Sequence, residues 1–149
     1  MTQEEIDERF MKVAIAEARC AAVEGEVPVG AVIVVDGRIV GRGHNLTETL
    51  HDATAHAEMQ AITGATAERG AKYLTDATLY VTLEPCLMCA GAIGWSQIGR
   101  IVIGARDSRR GFSSITSASP FHPRSTVVWD VCADECRDIV INFFKQRRP

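Results

Sequence analysis

No apolar run in the 149-residue chain approaches the ~20 residues that a membrane span needs. Aromatic residues are few, at 6%, and no internal repeat or low-complexity tract interrupts the sequence. These absences exclude a helical membrane protein, a repeat solenoid and a linker-like polypeptide. Positive charge is not in excess either: 16 Lys and Arg stand against 19 Asp and Glu, for a net charge of −3. That balance excludes a strongly basic nucleic-acid binder but leaves room for a local basic patch. The opening residues, Met1-Thr2-Gln3-Glu4-Glu5-Ile6-Asp7-Glu8-Arg9, are acidic and amphipathic. They look like neither a signal peptide nor a basic transit peptide, so a cytoplasmic location without membrane contact is expected.

What is present is ordinary globular composition, 46% hydrophobic and 23% charged. A chain of this length buries roughly 70% of its unfolded surface and needs no disulfide staples. One domain over residues 1–149 is therefore expected. The five cysteines are an odd number. In a reducing compartment they are not expected to pair as disulfides. Cys20, Cys132 and Cys136 read as small core residues, which leaves Cys86 and Cys89 to be explained.

Hydrophobic spacing predicts a helix over 3–23, ended by Gly25 and Pro28. Two β-branched runs, 29–35 and 38–43, flank Asp36-Gly37, a pair that tolerates the positive φ of a tight hairpin. Polar residues 44–55 read as a loop, 56–69 as a second helix ended by Gly70, and 78–83 as a strand. Pro85 is expected at the first position of a third helix reaching about Ser96. A strand over 100–104, a long loop over 106–124 with room for a helical turn, a last strand over 126–129 and a C-terminal helix complete the order. Strand–helix–strand alternation after a hairpin predicts an α/β fold, a three-layer α/β/α sandwich with a mixed central sheet of about five strands.

The chemistry concentrates in His56-Ala57-Glu58 and Pro85-Cys86-Leu87-Met88-Cys89. Two cysteines three apart at a helix start lie on neighbouring sides of it, and the helix N-terminus favours thiolates. His56 adds a neutral nitrogen. Three such ligands match a catalytic zinc site, whose fourth position is left for water. Glu58 sits two residues from His56. Such residues face apart in mid-helix, but at a helix start a glutamate can reach the water without being a ligand and carry its proton. A Cys-x-x-Cys redox pair gives His56 and Glu58 no task, and a structural zinc would require a fourth protein ligand.

The pattern His-x-Glu followed by Pro-Cys-x-x-Cys resembles the zinc-dependent deaminase signature of the cytidine deaminase-like superfamily. The likeness extends through Glu26-Val27-Pro28-Val29-Gly30, His44-Asn45, Thr54-Ala55-His56-Ala57-Glu58, the run from Asp76 to Ala92, Gly104-Ala105-Arg106-Asp107 and Ala133-Asp134-Glu135-Cys136. In that order the segments resemble bacterial tRNA-specific adenosine deaminases over about residues 4–148. The resemblance implies conversion of adenosine to inosine at the first anticodon position of a tRNA anticodon stem-loop. It also implies a homodimer with one Zn²⁺ per subunit. His56, Cys86 and Cys89 would bind the zinc, and Glu58 would shuttle protons. Asn45 would bond the flipped base, the backbone around Pro28 and Glu84 would line the pocket, and Arg106 and Asp107 would meet the RNA.

Between Asp107 and Ala133 the chain departs from those enzymes, with a shorter segment reading Ser117-Ala118-Ser119-Pro120-Phe121-His122-Pro123-Arg124. His44 and Trp95 depart as well. Trp95 reads either as the wall of a small pocket or as a partly buried aromatic at a helix end. These departures keep a second substrate class open, a free nucleobase, nucleoside or nucleotide of guanine or cytosine type. Two basic groups, Arg106/Arg109/Arg110 and Lys145/Arg147/Arg148, read as phosphate contacts or, for the second, as charges complementing a helix C-terminus.

Overall fold

A computed structural model describes residues 1–147, so Arg148 lies outside the described residues. The described elements run α1 (Gln3–Val23), β1 (Gly30–Val35), β2 (Arg38–His44), α2 (Ala57–Arg69), β3 (Thr78–Leu83), α3 (Leu87–Trp95), β4 (Arg100–Ala105), α4 (Phe112–Ile115), β5 (Thr126–Val128) and α5 (Ala133–Arg147). The strands form one sheet in the order β2-β1-β3-β4-β5. β1 pairs antiparallel with both β2 and β3, while β3–β4 and β4–β5 are parallel. The sheet is thus mixed and five-stranded, as expected.

Layering follows from side-chain alternation. Ala31, Ile33, Leu79, Val81, Ile101 and Ile103 face α2 and α3 in one core. Val32, Val34, Tyr80 and Val102 point the other way, against Phe10, Met11, Ala14 and Ile15 of α1 and Cys136 of α5. β1, covered on both faces, is buried along its whole length, which is why it reads as an unbroken apolar run. β2, at the sheet edge, exposes Arg38 and Arg42, and charge there discourages pairing with another chain.

Glycines at the hairpin and on the edge strand fix how α2 meets the sheet. Asp36 and Gly37 take φ values of 50° and 75°, the left-handed pair that reverses β1 into β2. On β2, Gly41 and Gly43 let α2 lie almost on the strand backbone. A Cβ at Gly43 would stand 2.7 Å from the Ala57 carbonyl oxygen, and one at Gly41 2.4 Å from that of Ala61. α2 correspondingly turns small buried residues, Ala57, Ala61 and Ala65, to that strand. The first turn of α2 is thereby held against the sheet.

Two expectations change. Pro85 precedes the cap of α3 instead of opening the helix; Cys86 is the N-cap, with φ −69° and ψ 171°. Cys20 is exposed on α1 rather than in the core, because the core-facing positions of that helix are taken by Ala14, Ala18 and Ala21. Within the 106–124 loop the helical turn is α4.

Candidate active site

His56 is the N-cap of α2 and Cys86 the N-cap of α3, both in extended backbone, and neither uses its side chain to cap its helix. Two helix N-termini therefore converge with their cap side chains free. Cys89 is the third residue of α3. The Cys-x-x-Cys spacing is thus that of an N-cap and its N3 partner, which approach each other at any well-formed helix start. His56 Nδ1 lies 3.6 Å from Cys86 Sγ and 3.5 Å from Cys89 Sγ, and all three donor atoms fall within 4.8 Å of one another. For Zn–N and Zn–S bonds of ordinary length, a tetrahedral ion separates nitrogen and sulfur donors by about 3.6 Å. The donor types and their spacing fit zinc.

The electrostatics agree with a cation-binding site. The Cys86 thiol is lowered to about 4, first by the hydrogen bond with Cys89 and then, against the cost of burial, by His56. Cys89, which shares the proton, is pushed up. His56 is raised, chiefly by its hydrogen bond with Cys86. Glu58, the second residue of α2, is only 3% exposed. Burial pushes its carboxyl up to about 7.

Two of the donors, His56 and Cys86, border a cavity of about 390 Å³ together with Glu58; the lining is completed by Val27, Val29, Asn45, Thr47, Ala57, Leu83, Glu84, Asp107 and Arg110, while Cys89 is buried behind it. Pro28 is buried between the lining residues Val27 and Val29. Asn45 borders the cavity while its amide is held by the chain: Nδ2 donates to the Val27 carbonyl at 3.3 Å, and Oδ1 accepts from Thr47 N–H at 3.2 Å. Asp107 lines the opposite side and accepts from the Arg109 and Arg110 amides. Arg106 stands outside the lining. Its guanidinium makes two hydrogen bonds to Asp130, at 3.1 and 3.0 Å, and stacks on Trp129. Trp95 is neither a pocket wall nor a partly buried aromatic: at the C-terminal end of α3 it is 86% exposed, because the pocket lies at the other end of that helix. Arg109 lines a separate groove with Ile141, Phe144, Lys145 and Arg147 of α5, a grouping of segments too far apart in sequence for spacing to reveal.

Sequence reasoning gave no task to Glu26, which has no solvent exposure. An acid directly ahead of the apolar Val27-Pro28-Val29 run was the available signal. Nor does spacing show why His44 matters: Nδ1 lies 3.0 Å from Glu17 and Nε2 3.0 Å from Glu24, both reaching from α1 and its cap. Arg42 shares Glu17 at 3.5 Å. Burial lowers the pKa of His44, but the bonds with Glu17 and Glu24 outweigh it, and the net direction is up. The folded state then binds the proton more tightly, so this stabilisation is complete below the unfolded value of ~6.5 and fades as pH rises through the folded one. Denaturant unfolding should show His44→Gln weaker than the parent by on the order of 1 kcal/mol near pH 6 and nearly equal to it near pH 9. An equal loss at both values would contradict the ion-pair account.

Among the described residues no helix is long and apolar enough to cross a membrane. Residues 4–105 match the family model described as the cytidine and deoxycytidylate deaminase zinc-binding region. A tRNA-specific adenosine deaminase of Bacillus subtilis is 45% identical, over 99% of this chain and 92% of the relative. A solved structure from work on A-to-I editing by tRNA:A34 deaminases at the wobble position superposes with a TM-score of 0.82 at 41% identity, covering 88% of this chain and 98% of the other. A guanine deaminase structure from Bacillus subtilis gives a TM-score of 0.65 at 41% identity, over 71% and 66% of the two chains.

Proposed function

We propose, from the premise that the chain belongs to the cytidine and deoxycytidylate deaminase zinc-binding family, that it hydrolyses adenosine to inosine at the first anticodon position of a transfer RNA. The observation that carries this reading is one pocket whose lining joins His56, Cys86, Glu58 and Asn45, in a chain 45% identical over nearly its full length to a tRNA-specific adenosine deaminase. An anticodon loop presents unstacked bases, so a single nucleotide enters such a pocket at low cost.

His56, Cys86 and Cys89 would hold one zinc ion per chain. Zinc bound there supplies Lewis acidity and makes water a nucleophile at neutral pH. Glu58 takes a proton from the water that attacks adenine C6. It gives that proton to N1, then takes the second from the hydroxyl now on C6 and passes it to the departing amine, so that adenosine and water become inosine and ammonia. Asn45 orients the base, and the apolar Val27, Val29 and Leu83 exclude bulk water around it. The reading includes one deaminase domain over residues 1–149, a homodimer and a cytoplasmic site of action. Asp107 and Arg110 form the RNA side of the rim. Arg109, Lys145 and Arg147 beside Phe144 suit phosphate contact and base stacking. Arg106 joins them only by giving up Asp130.

The test is ammonia release by zinc-loaded protein on an anticodon stem-loop with adenosine at its first anticodon position, beside free guanine, adenine, cytosine and their nucleosides. Turnover of the stem-loop alone is expected, with Arg110→Ala weakening RNA binding and flattening its salt dependence. Turnover of guanine alone would transfer the chain to the second substrate class, which the 41% identity to a guanine deaminase makes the competitor.

A further inference from the structure

Two buried acids, Glu84 in the pocket lining and Glu26 outside it, have no part in the metal and proton chemistry. Glu26 has no exposure and Glu84 is 4% exposed, and neither is paired with a cation among the described residues. Each spends its carboxylate on a loop. Glu26 Oε1 accepts the Glu48 amide at 3.0 Å and, more weakly, the Thr47 hydroxyl at 3.5 Å. Its Oε2 accepts the Thr49 amide at 2.7 Å and the Thr49 hydroxyl at 2.6 Å. Glu84 repeats the arrangement on the far side of the pocket. Its Oε1 accepts the Asp107 amide at 3.1 Å, and its Oε2 accepts the Ser113 amide at 3.0 Å and hydroxyl at 2.6 Å.

The two stapled loops carry opposite sides of the pocket. One runs on from Asn45 through Thr47; the other carries Asp107 and Arg110. The second loop is also tied to the strand end that leads into Cys86. Phe112 N–H donates to the Pro85 carbonyl at 2.9 Å, and Gly111 pairs with Cys86 as an isolated bridge. A carboxylate suits this task because both oxygens accept and neither donates, so it can gather several amides and hydroxyls at once. Gln in its place would turn an NH₂ group toward an N–H or O–H donor and break at least one side of the staple.

We propose that Glu26 and Glu84 are positioning residues that set the two walls of the pocket for the substrate, acting through the backbone of residues 47–49 and 107–113. The inference rests on the deaminase reading. It separates substrate capture, governed by the staples, from bond making, governed by the donor set and Glu58.

The experiment uses zinc-loaded Glu26→Gln and Glu84→Gln, with Thr49→Val and Ser113→Ala as milder variants. The milder pair keep both carboxylates and remove one hydroxyl donor each, at exposed positions outside the pocket lining. Amide hydrogen exchange, zinc content, and KM and kcat on the stem-loop are read together. Exchange is expected to quicken at residues 48 and 49 in Glu26→Gln, and at 107 and 113 in Glu84→Gln, each without change at the other loop. KM should rise on the order of tenfold while kcat stays within about threefold and zinc content holds. Thr49→Val and Ser113→Ala should move the same quantities the same way by less. Faster exchange throughout the chain with KM unchanged would make both acids simple stabilisers and overturn the proposal, as would lost zinc or a fall in kcat alone. Should the wild-type protein leave the stem-loop untouched, the substrate reading fails. Exchange confined to each acid's own loop would still uphold the positioning role, and exchange unchanged or spread would refute it.

Discussion

Glu58→Gln should abolish deamination while zinc stays bound. The side chain is buried beside the donor set at the start of α2, where its neighbours are ligand atoms and pocket wall, and where bulk water is scarce. Gln keeps the volume and one acceptor but carries no proton to the base. General acid–base catalysis contributes ~10²–10⁴ in rate. In the proposed mechanism one group serves both the attacking water and the leaving amine, so a loss at the upper end of that range or beyond it is expected. Metal content by atomic absorption and ammonia release by a coupled assay decide the matter. Zinc lost together with activity would make Glu58 a ligand, and activity retained would move the proton transfer to another residue.

Cys86→Ser should separate the metal from the fold. Serine is among the best N-cap residues, so α3 keeps its start, while the thiolate that joins His56 and Cys89 disappears. We expect zinc content to fall to a small fraction of the parent's and turnover to vanish with it. The thermal readout adds an independent check. Free zinc at about a thousand times its dissociation constant stabilises the folded chain by ~4 kcal/mol, which for a protein of this size is roughly 10 °C in Tm. The parent should lose that increment on chelation, and Cys86→Ser should show no chelator effect. A chelator shift of equal size in both proteins would place the ion elsewhere.

Much of the architecture is legible from local rules because local rules act alone there. Asp36-Gly37 tolerates the left-handed conformation wherever it occurs, and the unbroken apolar runs of β1 and β4 can only be covered on both faces. The donor types are legible for the same reason: a thiol pair at cap spacing is unusual enough to be read without a fold. What spacing cannot give is the partner of a side chain brought from far along the chain. Arg106 reads as a free cation until Asp130, 24 residues on, is placed beside it. Glu26 has no assigned task in the sequence, and one emerges only when residues 48 and 49 fold over it. Trp95 belongs to the helix that starts at Cys86, and helix length alone carries it away from the pocket. In each case the competing term is tertiary, and it falls on the loops that shape the site more than on the strands that support it.

The uncapped starts of α2 and α3 have an evolutionary consequence. A serine, threonine or aspartate at either position would typically stabilise its helix by about 1 kcal/mol. His56 and Cys86 forgo that, and in the proposed site a bound cation would offset the shortfall by drawing their side chains together. The chain thus holds its reactive groups at two positions where substitution to a better cap is a single, stabilising step. Drift without selection for the reaction would run toward an inert, sturdier protein with the same fold. Within this fold, the places where stability is most easily gained are the ones where reactivity is kept.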